Sequence, residues 1–492
     1  MPFAKAHPLL VPEMVLNVSL FVSLRDAVVC ARVCKTWNDP FTSAIWHSID
    51  FGLQPNLLNS GMAIKKHGHR IRVIKELKNL HQLTAIHHSS VCRIRKLHIL
   101  IPANYTFHVY CGDILRQNAA SIIKLDIAAQ SRPDNNVWLP FPFDAISLNS
   151  GNQATSNITS LTIENILFTR DGFSSLLRMC PALEVLNMRA TTIRSANCSE
   201  PFQHTGLKEL ACPLEQIFRP DPMAVDTTSM LTHFPTLRSI YLTYPWPVEF
   251  APMIGFEEIK TQFAQHCPLL REVSSELSAA TTTVLLTQTF RSLESITVTS
   301  KGIRGEVIMG ILAHQQTLKF VGTFAPSEDY EYEESPKSVD LPVPEWSFQL
   351  IPQTCSRLES FMFPVFELDM DEIEKIEWTC VELKRLEFRI RGLDTNEKID
   401  RATQLWIDCN KLTKRRNMKD SASHPIPRKT RRKKKEESRS CPDAFPSSTT
   451  GEVSVETLCA GNSIEQRVAR HLLRFKKLEA VWLGHGVKRV QV

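Results

Sequence analysis

The chain has 492 residues and a formal net charge of +6, from 58 Lys and Arg against 52 Asp and Glu. That length predicts two or more domains or one extended array, because single cores rarely grow past ~250 to 300 residues. With 43% hydrophobic and 22% charged residues the composition is that of an ordinary folded protein, and no stretch reaches the ~20 uncharged apolar residues of a membrane-spanning helix. Thirteen cysteines are spread thinly along the chain, the pattern expected of an intracellular protein with reduced thiols, cytoplasmic or nuclear, rather than of a disulfide-stapled secreted domain.

Near the start, VCKTWNDPFTSAIW (residues 33–46) places two tryptophans, a cysteine and a proline in fourteen positions. The apolar run from Val15 to Leu24 follows Lys5, Pro12 and Glu13, ends at Arg25 and Asp26, and has no small-residue cleavage site, so it reads as helix rather than leader. Short helices of this size bury too little surface to stand alone. Their surplus apolar side chains need a cover, either a partner or the chain that follows. One buried aromatic removes ~150 to 250 Å² from water, which makes Trp37 and Trp46 candidate anchors.

This segment resembles an F-box. Pro12 and Glu13 stand at its start, followed by the apolar positions Val15, Val18 and Val22, Asp26 opening a second helix, Val33, Cys34 and Trp37 in a Val-Cys-x-x-Trp run, and a final Trp46. Val11 precedes the proline where Leu is common, Ala27 follows the Asp where Leu is common, and Cys30 takes a usually aliphatic site. The resemblance implies docking on a small Skp-type linker protein, and through it on a cullin. The residues it assigns to that contact are Val11, Pro12, Glu13, Val15, Val18, Val22, Val33, Trp37 and Trp46.

Further along, a six-residue pattern recurs: apolar-x-x-apolar-x-apolar. Clear copies are LEVLNM (Leu183, Leu186, Met188), LRSIYL (Leu237, Ile240, Leu242), LESITV (Leu293, Ile296, Val298), LESFMF (Leu358, Phe361, Phe363), LKRLEF (Leu383, Leu386, Phe388) and LEAVWL (Leu478, Val481, Leu483). Weaker copies begin at Ile94, Ile122, Ile158, Leu207 and Leu270. Most neighbours are 23 to 36 residues apart. A longer gap takes in the acidic stretch 325–346, and one of 95 residues lies between the last two copies.

The last three positions of each copy alternate like a half-buried strand. The residues before them have helical spacing: Phe173, Leu176, Leu177 and Cys180 share a face ahead of Pro181, as do Phe256, Ile259, Phe263 and Cys267 ahead of Pro268. Ser463 and Gln466 form a capping-box pattern. A single helix-strand unit cannot bury its own apolar face and must stack on its neighbours.

The pattern resembles the leucine-rich repeat over roughly residues 92–410 and 456–490. The Asn or Cys that the family places three residues beyond the strand is mostly missing, with Thr191 after Met188 and Lys301 after Val298. The two resemblances together imply an α/β fold: a short all-α F-box followed by a leucine-rich-repeat solenoid, with a curved parallel sheet and helices on the convex side. The expected boundaries are 1–50 for the F-box, 51–91 for a helical linker or irregular first repeat, 92–410 for the solenoid, 411–455 for a disordered basic insertion, and 456–492 for a C-terminal repeat and cap.

Residues 411–440 carry thirteen Lys and Arg against three acids, a local +10 that leaves the other 462 residues at −4. KRR at 414–416 and RKTRRKKK at 428–435 read as a nuclear import signal, as a sequence-blind phosphate-binding tract, or as a solvated loop. For chemistry, Cys30 and Cys34 lie four apart without a second ligand pair, and the His67/His69 and His87/His88 pairs read as loop or surface residues. Cys180, Cys267, Cys355 and Cys380 take equivalent positions ahead of the strands, which favours packing. No phosphate-binding loop, dinucleotide fingerprint or nucleophile elbow is present. No catalytic residue, metal or cofactor is expected, and membrane contact is not expected either.

The combined resemblance implies a non-catalytic adaptor of an SCF-type ubiquitin ligase whose repeats hold an unknown target protein. Strand alternation gives Asn187, Tyr241, Thr297, Met362, Glu387 and Trp482 as candidate target-binding positions. The alternatives are a repeat scaffold without a link to ubiquitin, and a nucleic-acid-associated protein led by the basic loop.

Overall fold

The computed structural model describes residues 11–19, 21–53, 61–87, 93–102, 105–129, 156–189, 191–194, 202–214, 217, 230–243, 256–300, 303–324, 345–422, 461–483 and 490–491. The chain divides into two compact units, Met1–Leu277 and Ser278–Val492.

The first unit opens with three helices, α1 (Pro12–Ser19), α2 (Leu24–Cys30) and α3 (Lys35–His47). Ser23 caps α2: its hydroxyl accepts the Asp26 backbone N–H at 3.2 Å and donates to the Asp26 carboxylate at 2.7 Å. Asp26 thus sits in the first turn as the second half of a cap. Val15, Ala27, Ala31 and Phe41 form the core of the bundle, with Val22, Cys30, Trp37 and Ile45 packed on it. Cys30 ends α2, whereas Cys34 precedes α3 in an extended conformation. The helical face that their spacing predicts does not form, because the chain turns between them.

Helix α3 leads directly into β1 (Ser48–Asp50), and α4 (Gly61–His67) precedes β2 (Val73–Leu77). Then follow α5 (Leu80–His87), β3 (Lys96–Ile101), α6 (Tyr105–Asn118), β4 (Lys124–Ala129), β5 (Ser160–Glu164), β6 (Leu167–Thr169), α7 (Arg170–Met179), β7 (Val185–Arg189), β8 (Thr192–Arg194), β9 (Glu209–Pro213), β10 (Ser239–Thr243), α8 (Phe256–His266) and β11 (Glu272–Ser275). The sheet of this unit runs β1-β2-β3-β4-β5-β7-β9-β10-β11 in sequence order. Every pair in it is parallel. Strands β6 and β8 form a small parallel sheet of their own.

The second unit contains α9 (Ala279–Val284), β12 (Ser295–Thr299), α10 (Gly305–Leu312), β13 (Phe320–Phe324), α11 (Leu350–Thr354), β14 (Ser360–Leu368), α12 (Met370–Lys375), β15 (Arg385–Ile390), α13 (Asn396–Ala422), α14 (Ile464–Leu472), β16 (Ala480–Leu483) and β17 (Val490–Gln491). Strands β12 to β16 pair in parallel and in order, and β17 closes on β16 antiparallel. Each unit therefore has the α/β arrangement of a repeat solenoid, strands in sequence order alternating with helices.

The six-residue pattern places the core. Its middle positions stand opposite one another from strand to strand: Leu97, Leu125, Leu161, Leu186, Leu210, Ile240 and Val273 in the first unit, and Ile296, Val321, Phe361, Leu386 and Val481 in the second. All are buried. A one-residue slip would turn a whole row outward, so burial fixes the register. Ahead of most strands, two backbone N–H groups share one carbonyl of the preceding repeat: Glu184 and Val185 donate to Thr159 O at 2.8 and 3.0 Å, and Lys208 and Glu209 to Glu184 O at the same distances.

Helix ends supply the remaining partners. Asn118 Oδ1 accepts the Ile94 N–H at 3.0 Å, and His314 bonds Leu286 O at 2.8 Å while accepting the Leu293 N–H at 3.2 Å. Thr191 fills the position the repeat family gives to Asn or Cys, and its hydroxyl reaches Ile163 O on the neighbouring strand at 3.0 Å. Lys301 lies outside the described residues.

Two findings depart from the sequence reading. Helix α13 continues to Ala422, so the boundary expected at 411 falls inside a helix; residues 423–460 lie outside the described residues. Strands β1, β2 and β13 add repeats that the pattern did not reach. In β2 a register shift between Ile74 and Leu77, with Glu76 at φ 53°, moves the third apolar position from 76 to 77. In β13 that position is Thr323.

Candidate partner-binding surfaces

The three N-terminal helices carry apolar residues on both sides. Val15 is 1% exposed, while Met14, Leu16, Val18, Phe21, Leu24, Val28, Val29 and Val33 are exposed, Phe21 at 88% and Val29 and Val33 at about 60%. Among the described residues these eight are the majority of the fourteen large hydrophobics that face solvent. Helix α1 reads PEMVLNVS, and its apolar residues Met14, Val15, Leu16 and Val18 spread round more of the helix than one buried face. Its partner helices cover one side only. Eight exposed large apolar side chains within residues 14–33 make this segment the candidate partner-binding surface of the first unit.

The family-assigned residues separate accordingly. Val18 and Val33 lie on the exposed side with Glu13. Val11 is half-buried, and only the backbone of Pro12 is described. Val15 and Val22 belong to the bundle core, and Trp37 packs on Phe41 with ring centroids 5.4 Å apart. Trp46 is half-buried and stacks on His67 at 5.0 Å. Burial, with Lys66, Arg70 and His69 nearby, lowers the His67 pKa, which favours the neutral ring against the indole. Arg70 fastens α3 to the first repeat through an ion pair with Asp39 and hydrogen bonds to Asp39 O and Ser43. Met14, Leu16, Phe21, Leu24, Val28 and Val29 were not assigned from sequence; the signal for them is the density of apolar residues over 14–33, more than the small shared core of three short helices can enclose.

The second surface is the sheet face opposite the buried rows. In the first unit the register aligns His98, Asp126, Thr162, Asn187, Ala211, Tyr241 and Ser274. This row is polar. Asp126 Oδ1 and Asn187 Oδ1 are enclosed without a hydrogen-bond partner, and the Tyr241 hydroxyl donates to Glu276. In the second unit the register aligns Thr297, Gly322, Met362, Glu387 and Trp482. A Cβ at Gly322 would lie 3.2 Å from Met362 Cβ and 3.3 Å from the Phe320 ring, so the ring occupies the space a side chain would need. All six candidate target-binding residues are half-buried; Asn187 and Tyr241 share the row of the first unit, and Thr297, Met362, Glu387 and Trp482 share that of the second.

Burial pushes the thiols of Cys180 and Cys355 up to about 11 and those of Cys267 and Cys380 up to about 12, so they stay protonated and serve as packing groups. Among the described residues, no cluster of three or more His, Cys, Asp or Glu is placed to hold a metal, and no helix is long and apolar enough to cross a membrane.

These features define an α/β repeat protein fronted by a three-helix bundle. Comparison with family models finds no match, and comparison with curated proteins finds none either.

Proposed function

We propose that this chain is the target-recognition adaptor of an SCF-type ubiquitin ligase. Helices α1 to α3 dock on a Skp-type linker protein, which joins a cullin, and the open faces of the repeats hold the target. The chain works by proximity: holding a target lysine near a ubiquitin-charged enzyme raises effective concentration without side-chain chemistry of its own. The observation that carries this reading is the apolar side of α1 and α2, eight exposed side chains within residues 14–33, on the segment whose sequence resembles an F-box.

The test is co-purification with a Skp-type linker protein. Val18→Asp with Val33→Asp changes exposed positions and leaves the bundle core intact, so the thermal midpoint is expected to hold while capture is lost. Trp37→Ala is a poor choice because it also removes packing on Phe41. Capture equal to that of the unaltered chain overturns the docking assignment and favours a repeat scaffold without a ligase link. Loss of nucleic-acid binding on deletion of 423–460, with no linker capture by any form, favours the third reading.

A further inference from the structure

The two open rows differ in one respect that bears on what they bind. The row of the second unit ends in Met362, Glu387 and Trp482, a single carboxylate between two large apolar side chains. Glu387 stands directly between Met362 on one side and Trp482 on the other, and among the described residues it has no ion pair or hydrogen bond. Three other carboxylates beside the strands of this unit are paired: Glu294 with Lys319 at 2.6 Å, Glu359 with Lys384 at 2.6 Å, and Glu382 with Lys477. Glu387 differs from these three in lying on the open row between two apolar side chains.

We propose that this row takes one basic side chain, a lysine or arginine of the target protein, laid along Met362, Glu387 and Trp482 with its charged end at the Glu387 carboxylate. The inference rests on the adaptor reading only in taking this face as the place where the target is held. Neighbouring strands lie ~4.8 Å apart, so the row from Met362 to Trp482 spans about 10 Å. The methylene stem of a basic side chain covers apolar surface of this kind while its head keeps a polar partner, and an indole adds attraction for a cation. Burial already holds the Glu387 carboxyl above its ordinary pKa. A half-buried charge without a partner is unfavourable, and an incoming cation removes that cost.

The flanking charges limit the occupant to a single cation. Arg385 and Arg389 lie two residues to either side on the same strand and the same face, and neither pairs with Glu387. They oppose a second positive charge. The basic run 428–435 of this chain, RKTRRKKK, is therefore a poor fit, whereas one Lys or Arg between apolar residues suits the Phe320, Gly322 and Met362 surface beside it.

The experiment uses the full chain and fluorescent nine-residue peptide pools with Leu and Phe around a fixed central residue, Lys or Arg in one pool and Glu in the other. The Lys/Arg pool is expected to bind at least about tenfold more tightly, the scale of one charge-assisted hydrogen bond. Glu387→Gln is expected to abolish that preference, and Glu387→Arg to reverse it. Melting curves that match the unaltered chain show that the variants are folded. Equal binding of the pools, a preference that survives Glu387→Gln, or binding of neither pool overturns the inference. So does a preference that emerges only after deletion of 423–460, which would make the chain's own basic segment the occupant. Capture of the Skp-type linker is measured on the same samples: a failed peptide preference with intact capture sinks this inference alone, and lost capture sinks the adaptor reading.

Discussion

The three N-terminal helices and the repeats that follow treat the same kind of residue in opposite ways. Val29 and Val33 face solvent in the helices, whereas Leu186, Leu386 and Phe361 are completely enclosed in the strands. The difference is one of topology. The strands that carry these residues each have a neighbour on both sides, so a side chain every second residue is enclosed by construction. Three short helices enclose only their shared centre, and the outward sides stay wet. The contrast teaches that apolar content alone does not locate a core; the number of neighbours an element can recruit does.

Truncation breaks or sharpens this contrast most directly. Leu386→Ala removes a fully enclosed side chain between the opposed residues Phe361 and Val481, and is expected to cost about 2 to 5 kcal/mol. Val33→Ala, at a position about 60% exposed, is expected to change stability by no more than about 0.5 kcal/mol. Urea unfolding of the two variants measures the difference. A cost at Val33 comparable with that at Leu386 would mean that the outward side of the helices is covered.

The mirror image of an exposed valine is an enclosed imidazole. His471 on α14 is 4% exposed, neither ring nitrogen has a partner, and its ring lies edge-on to Trp378 at 4.8 Å and to Phe475 at 5.4 Å. Burial, with Arg474 nearby, lowers its pKa to about 3. An unfolded histidine titrates near 6.5. Between these values the unfolded chain binds the extra proton, so stability is unaffected above pH ~6.5 and falls as the pH drops below it, by about 1.4 kcal/mol per pH unit. Lowering the pH from 7 to 5 is expected to remove about 2 kcal/mol through this group. His314, also lowered by burial, adds in the same direction. His471→Phe keeps the aromatic packing and is expected to flatten the profile; an unchanged slope would show that the ring is solvated.

Much of this architecture was legible because burial leaves a period. The copies at Leu183, Leu237, Leu293, Leu358, Leu383 and Leu478 each lead into a strand, and the Ser463–Gln466 capping box forms as its residues require. What escaped had local exceptions. β2 hid behind a bulge at Glu76, and β13 behind Thr323 in place of an apolar residue. The candidate surfaces were legible only in part. Strand alternation found Met362, Glu387 and Trp482, because side-chain direction follows parity. It could not show that Glu387 lacks a partner, since pairing depends on which strands become neighbours. In the helices, Val15 and Val18 look alike in sequence, and only the packing of α1 on α3 separates the enclosed one from the exposed one.

The smallest expected effect lies on the rim of the repeats. At the residue after the leading leucine, opposite charges on adjacent repeats pair in three places: Glu184 with Lys208 at 2.5 Å, and Glu294 with Lys319 and Glu359 with Lys384, both at 2.6 Å. The Lys384 hydrogen bond holds the Glu359 carboxyl below its ordinary value, with Lys319 and Lys477 adding their fields. A lowered carboxyl contributes above its unfolded pKa and loses that contribution as the pH falls through the folded one. These pairs are solvent-exposed, so water and salt screen them. Glu359→Gln is therefore expected to move the thermal midpoint by no more than about 2 °C at physiological salt, and by less at 1 M salt, where the screening length is ~3 Å. The register is set by the buried rows, and the rim charges follow it; a larger shift that persists at high salt would mean that they help to set it.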